Sequence, residues 1–133
     1  MREETRLFAY GTLLSGTGDR VLDRWIRRHL EDRGPGEVRG WAGRIGPWPA
    51  LRLDPRGRRV RGRILRIREP ERTLARLDDY EEFAPNDPER SLYLRTEVLV
   101  RRPGGREARC WIYVAGPAAR WIGRGCGGVS VSS

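Results

Sequence analysis

A chain of 133 residues, 38% of them hydrophobic, suits one domain that buries roughly 68% of its unfolded surface around its own core. The 27 basic residues stand against 18 acidic ones for a net charge of +9, and all of them are arginine. Without lysine there is no Schiff-base chemistry and no lysine to grip a nucleotide phosphate. The arginines fall in nearly every segment, as in the pairs Arg27–Arg28, Arg58–Arg59 and Arg101–Arg102, and read as a solvated basic surface rather than a nucleic-acid tract.

Leu7 to Tyr10 is apolar on both alternating faces, which predicts a central strand buried on both sides. After a glycine-rich turn, Asp19 is placed to cap a helix to about Leu30, with Leu22, Trp25, Ile26 and His29 at helical spacing. The stretch DRGPGE, 32–37, reads as a break. From Val38 to Leu53, Trp41 and Trp48 stand among glycines and prolines, predicting short strands with tight turns. DPRG, 54–57, turns into a strand at Val60 to Ile67, and Pro70 opens a second helix to near Glu82.

A loop, EEFAPNDPERS, leads to the strand YLRTEVLVRR, which sets Leu94, Thr96, Val98 and Val100 on one face. That strand turns at Pro103-Gly104-Gly105 into ARCWIYVAG, a hairpin. This order does not alternate regularly, so it argues for an α+β domain over 1–115 and against a doubly wound parallel sheet. The Gly/Ser-rich tail, 116–133, reads as partly disordered, with Trp121 and Ile122 able to pin it.

Two stretches carry chemistry. In LFAYGTLLSGTGD, Gly11 and Gly16 have P-loop spacing, but Thr17-Gly18 replaces the Lys-Ser/Thr pair that would hold phosphate and magnesium. The third glycine of a dinucleotide fingerprint is missing as well. What remains is a turn after a buried strand, either a plain connection or a concavity of N–H groups for an anion such as a carboxylate. In LARLDDYEEF, a helical advance of about 100° per residue places Glu81 between the apolar Leu74 and Leu77, while Asp78, Asp79 and Glu82 turn further away. A carboxylate so aimed is either satisfied by structural hydrogen bonds or held in a dry pocket, where burial raises its pKa and suits it to general acid/base work. If the helix ends at Tyr80 instead, Glu81 is solvated.

Other constellations are thin. His29, the single histidine, sits on the apolar side of its helix and reads as a packed residue, which argues against a Ser/His/Asp or Cys/His nucleophile. One histidine and two distant cysteines give no metal-ligand spacing, so no metal and no cofactor are expected. Trp41, Trp48, Tyr93, Trp111 and Tyr113 are assigned to strand cores rather than to a single-strand nucleic-acid groove. Cys110 and Cys126 are expected as free thiols in a reducing compartment. With no apolar leader and no run near 18 apolar residues, the chain is expected to be cytoplasmic, with no membrane partner.

FAYGTLLSG, WPALRL, RVRGRILRI, LDDYEEF, YLRTEVLV and CWIYV, in that order, resemble the gamma-glutamylcyclotransferase-like family from about Leu7 to Val114. The resemblance implies a small mixed β-barrel flanked by helices. It implies that Tyr10, Gly11, Thr12 and Leu13 hold the glutamyl end of a substrate, that Glu81 is the catalytic glutamate, and that Tyr93 lies near the site. The implied reaction is intramolecular: the substrate's α-amine attacks its own γ-carbonyl and releases 5-oxoproline and an amine or amino acid. Where the family usually has an acidic residue after the strand glycine, Arg63 follows Gly62 here, and charged residues in the loop Ala84 to Ser91 face the leaving-group side in this reading. The implied partner is a small γ-glutamyl molecule, with oligomeric state left open. The rival classes are an inactive member of the fold that binds a small acidic ligand, and a basic nucleic-acid-binding module.

Overall fold

A computed structural model describes residues 4–123. The elements run β1 (Arg6–Ala9), α1 (Thr12–Ser15), α2 (Arg20–His29), β2 (Leu30–Ile45), β3 (Trp48–Leu53), β4 (Arg58–Ile67), α3 (Pro70–Tyr80), a 3-10 turn (Pro88–Arg90), β5 (Tyr93–Arg101), β6 (Glu107–Ala115) and β7 (Trp121–Gly123). The sheet order β2-β4-β1-β6-β5 closes through a β2–β5 pairing at Glu37 and Arg101. β1 and β6 run parallel, whereas the other pairs are antiparallel, so the barrel is mixed as expected.

β1 is central, between β4 and β6, and its side chains alternate between two cores. Phe8 points into the barrel with Val38, Leu51, Ile64, Val100 and Ile112. Leu7 and Ala9 point outward to Leu22 and Ile26 of α2 and Leu74 and Leu77 of α3. The period of two along a strand therefore builds one core inside the barrel and another beneath the helices. Asp19 caps α2, its Oδ1 accepting from the N–H groups of Val21 at 2.9 Å and Leu22 at 3.2 Å.

Several expectations need correction. DRGPGE does not end an element but lies inside β2, a single strand of 16 residues with a register shift between Asp32 and Pro35. The bulge uses Gly34 at φ 108°, with its N–H donating to Asp32 Oδ1 at 2.8 Å, so turn-like residues bend a strand that continues. Arg63, opposite that bulge, donates from Nε and Nη2 to the Asp32 carboxylate at 3.2 and 2.8 Å, a local pairing suited to arginine after Gly62. Thr96 is exposed, while Val98 and Val100 pack on the barrel core. Trp48, assigned to the core, is 49% exposed beside the site described below. His29 is half-buried, stacked on Trp25 at 4.3 Å between ring centroids.

Trp121 to Gly123 pairs with Gly43 to Ile45 of β2, which ties the start of the tail to the sheet. Cys110 is a buried thiol in the barrel core, and burial pushes its pKa to about 11. Cys126 and the rest of the tail lie outside the described residues. Among the described residues, no helix is long and apolar enough to cross a membrane.

Candidate active site

β1 delivers Tyr10 and Gly11 to one end of the barrel, where the Gly11 carbonyl accepts from the N–H groups of Leu14 at 2.9 Å and Ser15 at 3.2 Å. Those bonds start α1 at Thr12. The N–H groups of Thr12 and Leu13, which precede the first bonded donor, have no acceptor within the turn.

α3 brings Glu81 to the same place. Leu74 and Leu77 bury the helix against the barrel; the helix ends at Tyr80, yet Glu81 is not released to solvent. Its N–H donates to the Leu77 carbonyl at 2.8 Å, and the chain then reverses through Glu82 at φ 54°. The N–H of Glu82 reaches the Asp79 carbonyl at 3.2 Å and that of Phe83 the Asp78 carbonyl at 2.8 Å, the bonding of a Schellman turn. Glycine is usual where Glu82 sits. Glu81 stays half-buried, and burial alone raises its pKa to about 7.

Tyr10, Gly11, Leu13, Glu81 and Tyr93 line one narrow cleft with Pro49 and Tyr113. Thr12 lies in the same turn. The Tyr10 hydroxyl donates to the Tyr113 carbonyl at 2.5 Å, and the Tyr93 hydroxyl donates to the Pro49 carbonyl at 2.8 Å. Burial, reinforced by the Glu81 charge, raises the pKa of both phenols, so they stay neutral at physiological pH. With their protons committed to carbonyls, both phenol oxygens can only accept from a ligand. The Gly11 turn, the Glu81 carboxyl and the two phenol oxygens thus share one cleft.

Two side chains escaped the periodicity argument. Asp78 is buried rather than turned away: Arg95 donates to it through Nε at 2.7 Å and Nη2 at 3.0 Å, and the Tyr113 hydroxyl donates to its Oδ1 at 2.7 Å. The Arg95 guanidinium lies 4.5 Å over the Trp111 ring. Asp78 sits at the edge of the α3 apolar stripe, one step along the motif from Leu77. Its partners come from β5 and β6, whose register no local pattern reveals. A single fork thus fixes the last turn of α3, and with it Glu81, to the hairpin behind the cleft.

The order of these elements around such a cleft defines a family. A family model described as gamma-glutamyl cyclotransferase, AIG2-like matches residues 7–125. The chain belongs to that family. Among solved structures, an AIG2-like protein from Mus musculus is 28% identical, with a TM-score of 0.64 over 90% of this chain and 82% of that one. A structure described as gamma-glutamyl cyclotransferase is 18% identical, with a TM-score of 0.62 over 91% of this chain and 70% of that one. At that identity the likeness shows the family's fold alone, as does that of a Pyrococcus horikoshii protein, 15% identical with a TM-score of 0.56 over 92% of this chain and 87% of that one. No match is found among curated proteins. Among the described residues, no group of three or more His, Cys, Asp or Glu side chains is arranged to hold a metal ion.

Proposed function

We propose that this family member is a γ-glutamyl cyclotransferase whose general acid/base is Glu81. The observation that carries the reading is a carboxyl raised to about 7 by burial, in a cleft it shares with the Gly11 turn and the Tyr10 and Tyr93 phenols.

In this reading the glutamyl α-carboxylate lies over the N–H groups of the turn Gly11, Thr12 and Leu13, and the α-ammonium faces Glu81 and the phenol oxygens of Tyr10 and Tyr93. Near pH 7 about half of the Glu81 population is ionised, so it can take the ammonium proton. The amine then attacks the γ-carbonyl: a ring C–N bond forms, and the amide C–N bond breaks. Glu81 returns the proton to the departing nitrogen, the second proton that the attacking nitrogen sheds on becoming a ring amide passes by the same carboxylate to the freed amine, and 5-oxoproline and an alkylammonium leave. No enzyme nucleophile is required, because the substrate supplies its own. Holding amine and carbonyl within attack distance contributes several kcal/mol, and a base matched to the pH contributes roughly 10² to 10⁴ in rate.

The test is 5-oxoproline release, read by mass spectrometry, from γ-glutamyl amino acids and γ-glutamyl amines. Wild type should release it, and Glu81→Gln should lose roughly 10² or more of the rate. A Glu81→Gln variant as active as wild type would remove Glu81 from the chemistry.

A further inference from the structure

We propose that the end of the barrel opposite the cleft is a binding site for a compact anion of linked phosphate groups, held by Arg102 and Arg106 together with Arg6 and Arg33. None of these residues lines the cleft, and the site does not depend on the cyclotransferase reading.

The period of two that fills the barrel also decides what closes this end of it. Phe8 of β1 points inward, and two residues earlier Arg6 takes the same face. Arg6 stands opposite Arg66 of β4, as Phe8 stands opposite Ile64. On the hairpin Val100 and Ala108 are paired and inward, and the ladder runs one step past both strands, where the Arg102 N–H donates to the Arg106 carbonyl at 2.7 Å. The apolar inner row thus ends in two arginine pairs, each set directly across neighbouring strands. Like charges so placed repel, and an anion between them offsets the repulsion. β6 starts at this end, just after Arg106, and brings Tyr113 to the cleft near the other.

The two pairs are answered differently. Arg6 and Arg66 approach the Glu4 carboxylate, with Nε at 3.8 and 4.0 Å from its oxygens, and Arg33 donates to the same carboxylate through Nε at 3.2 Å and Nη2 at 2.9 Å. Three guanidiniums gathered around one carboxylate already organise an oxyanion at this end of the barrel. Arg6 Nε is nevertheless buried without a hydrogen bond. Arg102 and Arg106 have no carboxylate partner among the described residues. Arg6 and Arg102 both bear on the Cys110 thiol in the core beneath, so the answered and unanswered pairs converge on one place.

Glu4, Arg6, Arg33, Arg102, Pro103 and Arg106 line a single open basin there. Four arginines against one glutamate leave three positive charges to be offset. Guanidinium forks match phosphate oxygens two at a time, a geometry that a point charge such as lysine lacks. A single phosphate group, at about −1.5 to −2, leaves the basin positive, whereas a linked diphosphate offsets it.

The test titrates sodium pyrophosphate into the whole protein by calorimetry, in magnesium-free buffer at an ionic strength of about 0.15 M. Wild type should bind it about tenfold more tightly than inorganic phosphate. Arg102→Gln and Arg106→Gln should each weaken pyrophosphate about tenfold, whereas Arg28→Gln, which removes the same charge from the exposed face of α2, should change it by less than about twofold. Ligand-free Arg102→Gln should melt at or slightly above the wild-type temperature, because the repulsion between the arginines is relieved. Pyrophosphate no tighter than phosphate, equal weakening by Arg28→Gln, or a lower melting temperature of ligand-free Arg102→Gln would each overturn the site. So would a single-stranded oligonucleotide that binds through Arg102 and Arg106 while pyrophosphate does not, the mark of a nucleic-acid surface. ADP separates two sources of the diphosphate group: tighter binding than pyrophosphate assigns a nucleotide and weaker binding a free diphosphate, and loss of either ligand in Arg102→Gln supports the site.

Discussion

The raised pKa of Glu81 makes stability depend on pH in a way that one substitution can isolate. Its carboxyl titrates near 7 in the folded protein against 4.5 for an ordinary glutamate, so the folded state holds the proton more tightly. Wild type is therefore at full stability below about pH 4.5 and loses stability as pH rises through about 7. The gap is worth about 3 kcal/mol at 1.36 kcal/mol per pH unit, and partial solvation of a half-buried side chain reduces the expected effect to about 2 kcal/mol. Glu81→Gln, always neutral, should match wild type near pH 4.5 and exceed it by about 2 kcal/mol at pH 8. For a domain of this size that is a Tm difference of about 7 °C, opening across the interval. Thermal unfolding of both proteins at half-unit steps from pH 4.5 to 8 measures it, and background titrations common to the two cancel. A Tm difference that stays constant with pH would show a solvated Glu81 and refute the buried-base argument. The same group sets the activity profile: kcat/KM should rise with pH along a limb centred near 7.

Other parts of the site are open to similar tests. Asp78→Leu or Arg95→Met alone should cost about 3 kcal/mol by stranding a buried charge, whereas the double substitution should recover most of that loss in urea denaturation. A Cβ at Gly11 would meet Pro49 Cβ at 3.4 Å, ordinary contact inside the cleft. Gly11→Ala should therefore change Tm by a few degrees or less while raising KM about tenfold or more in the 5-oxoproline assay. At Gly62 a Cβ would fall 2.3 Å from the Ala9 carbonyl oxygen and 2.8 Å from the Phe8 ring, so Gly62→Ala should lower Tm by about 10 °C or more in a thermal melt. Glu82→Gly should raise stability by about 1 kcal/mol in the same urea assay, because glycine relieves the left-handed backbone.

Local signals were legible where local physics decides. The apolar run Leu7 to Tyr10, whose strand ends one residue short at Ala9, the Asp19 cap, Pro70 at the start of α3 and the β5–β6 hairpin stand where the sequence places them. The long β2 strand was not legible, because Gly34 and Pro35 usually end elements and only pairing with β4 on both sides of the bulge carries the strand through them. Helical angles singled out Glu81 but passed over Asp78, since whether a carboxylate at the edge of the stripe is buried depends on Arg95 and Tyr113 arriving from another sheet position. Trp48 shows the converse failure. Hydrophobicity argues for burial, yet a residue at the start of β3, just past a tight turn, is placed by the turn, and here the turn leaves it at the mouth of the cleft.

The end of α3 concentrates two unfavourable features in adjacent residues: Glu81 is kept half-buried with no cation among the described residues that line its clefts, and Glu82 is kept in a left-handed backbone. Neither helps the chain fold. Both persist because Asp78, three residues earlier, is clamped by the Arg95 fork and the Tyr113 hydroxyl, and Leu77 is wholly buried beneath them. The clamp also commits the Arg95 guanidinium to Asp78. In the proposed reaction a substrate ammonium would complete the site electrostatically, lowering the Glu81 pKa on arrival so that the carboxylate would form where the proton is to be taken. A buried carboxyl raised by desolvation would thus suit a cationic amine better in the proposed reaction than one already held by arginine, and the Asp78–Arg95 fork anchors the helix end that carries it.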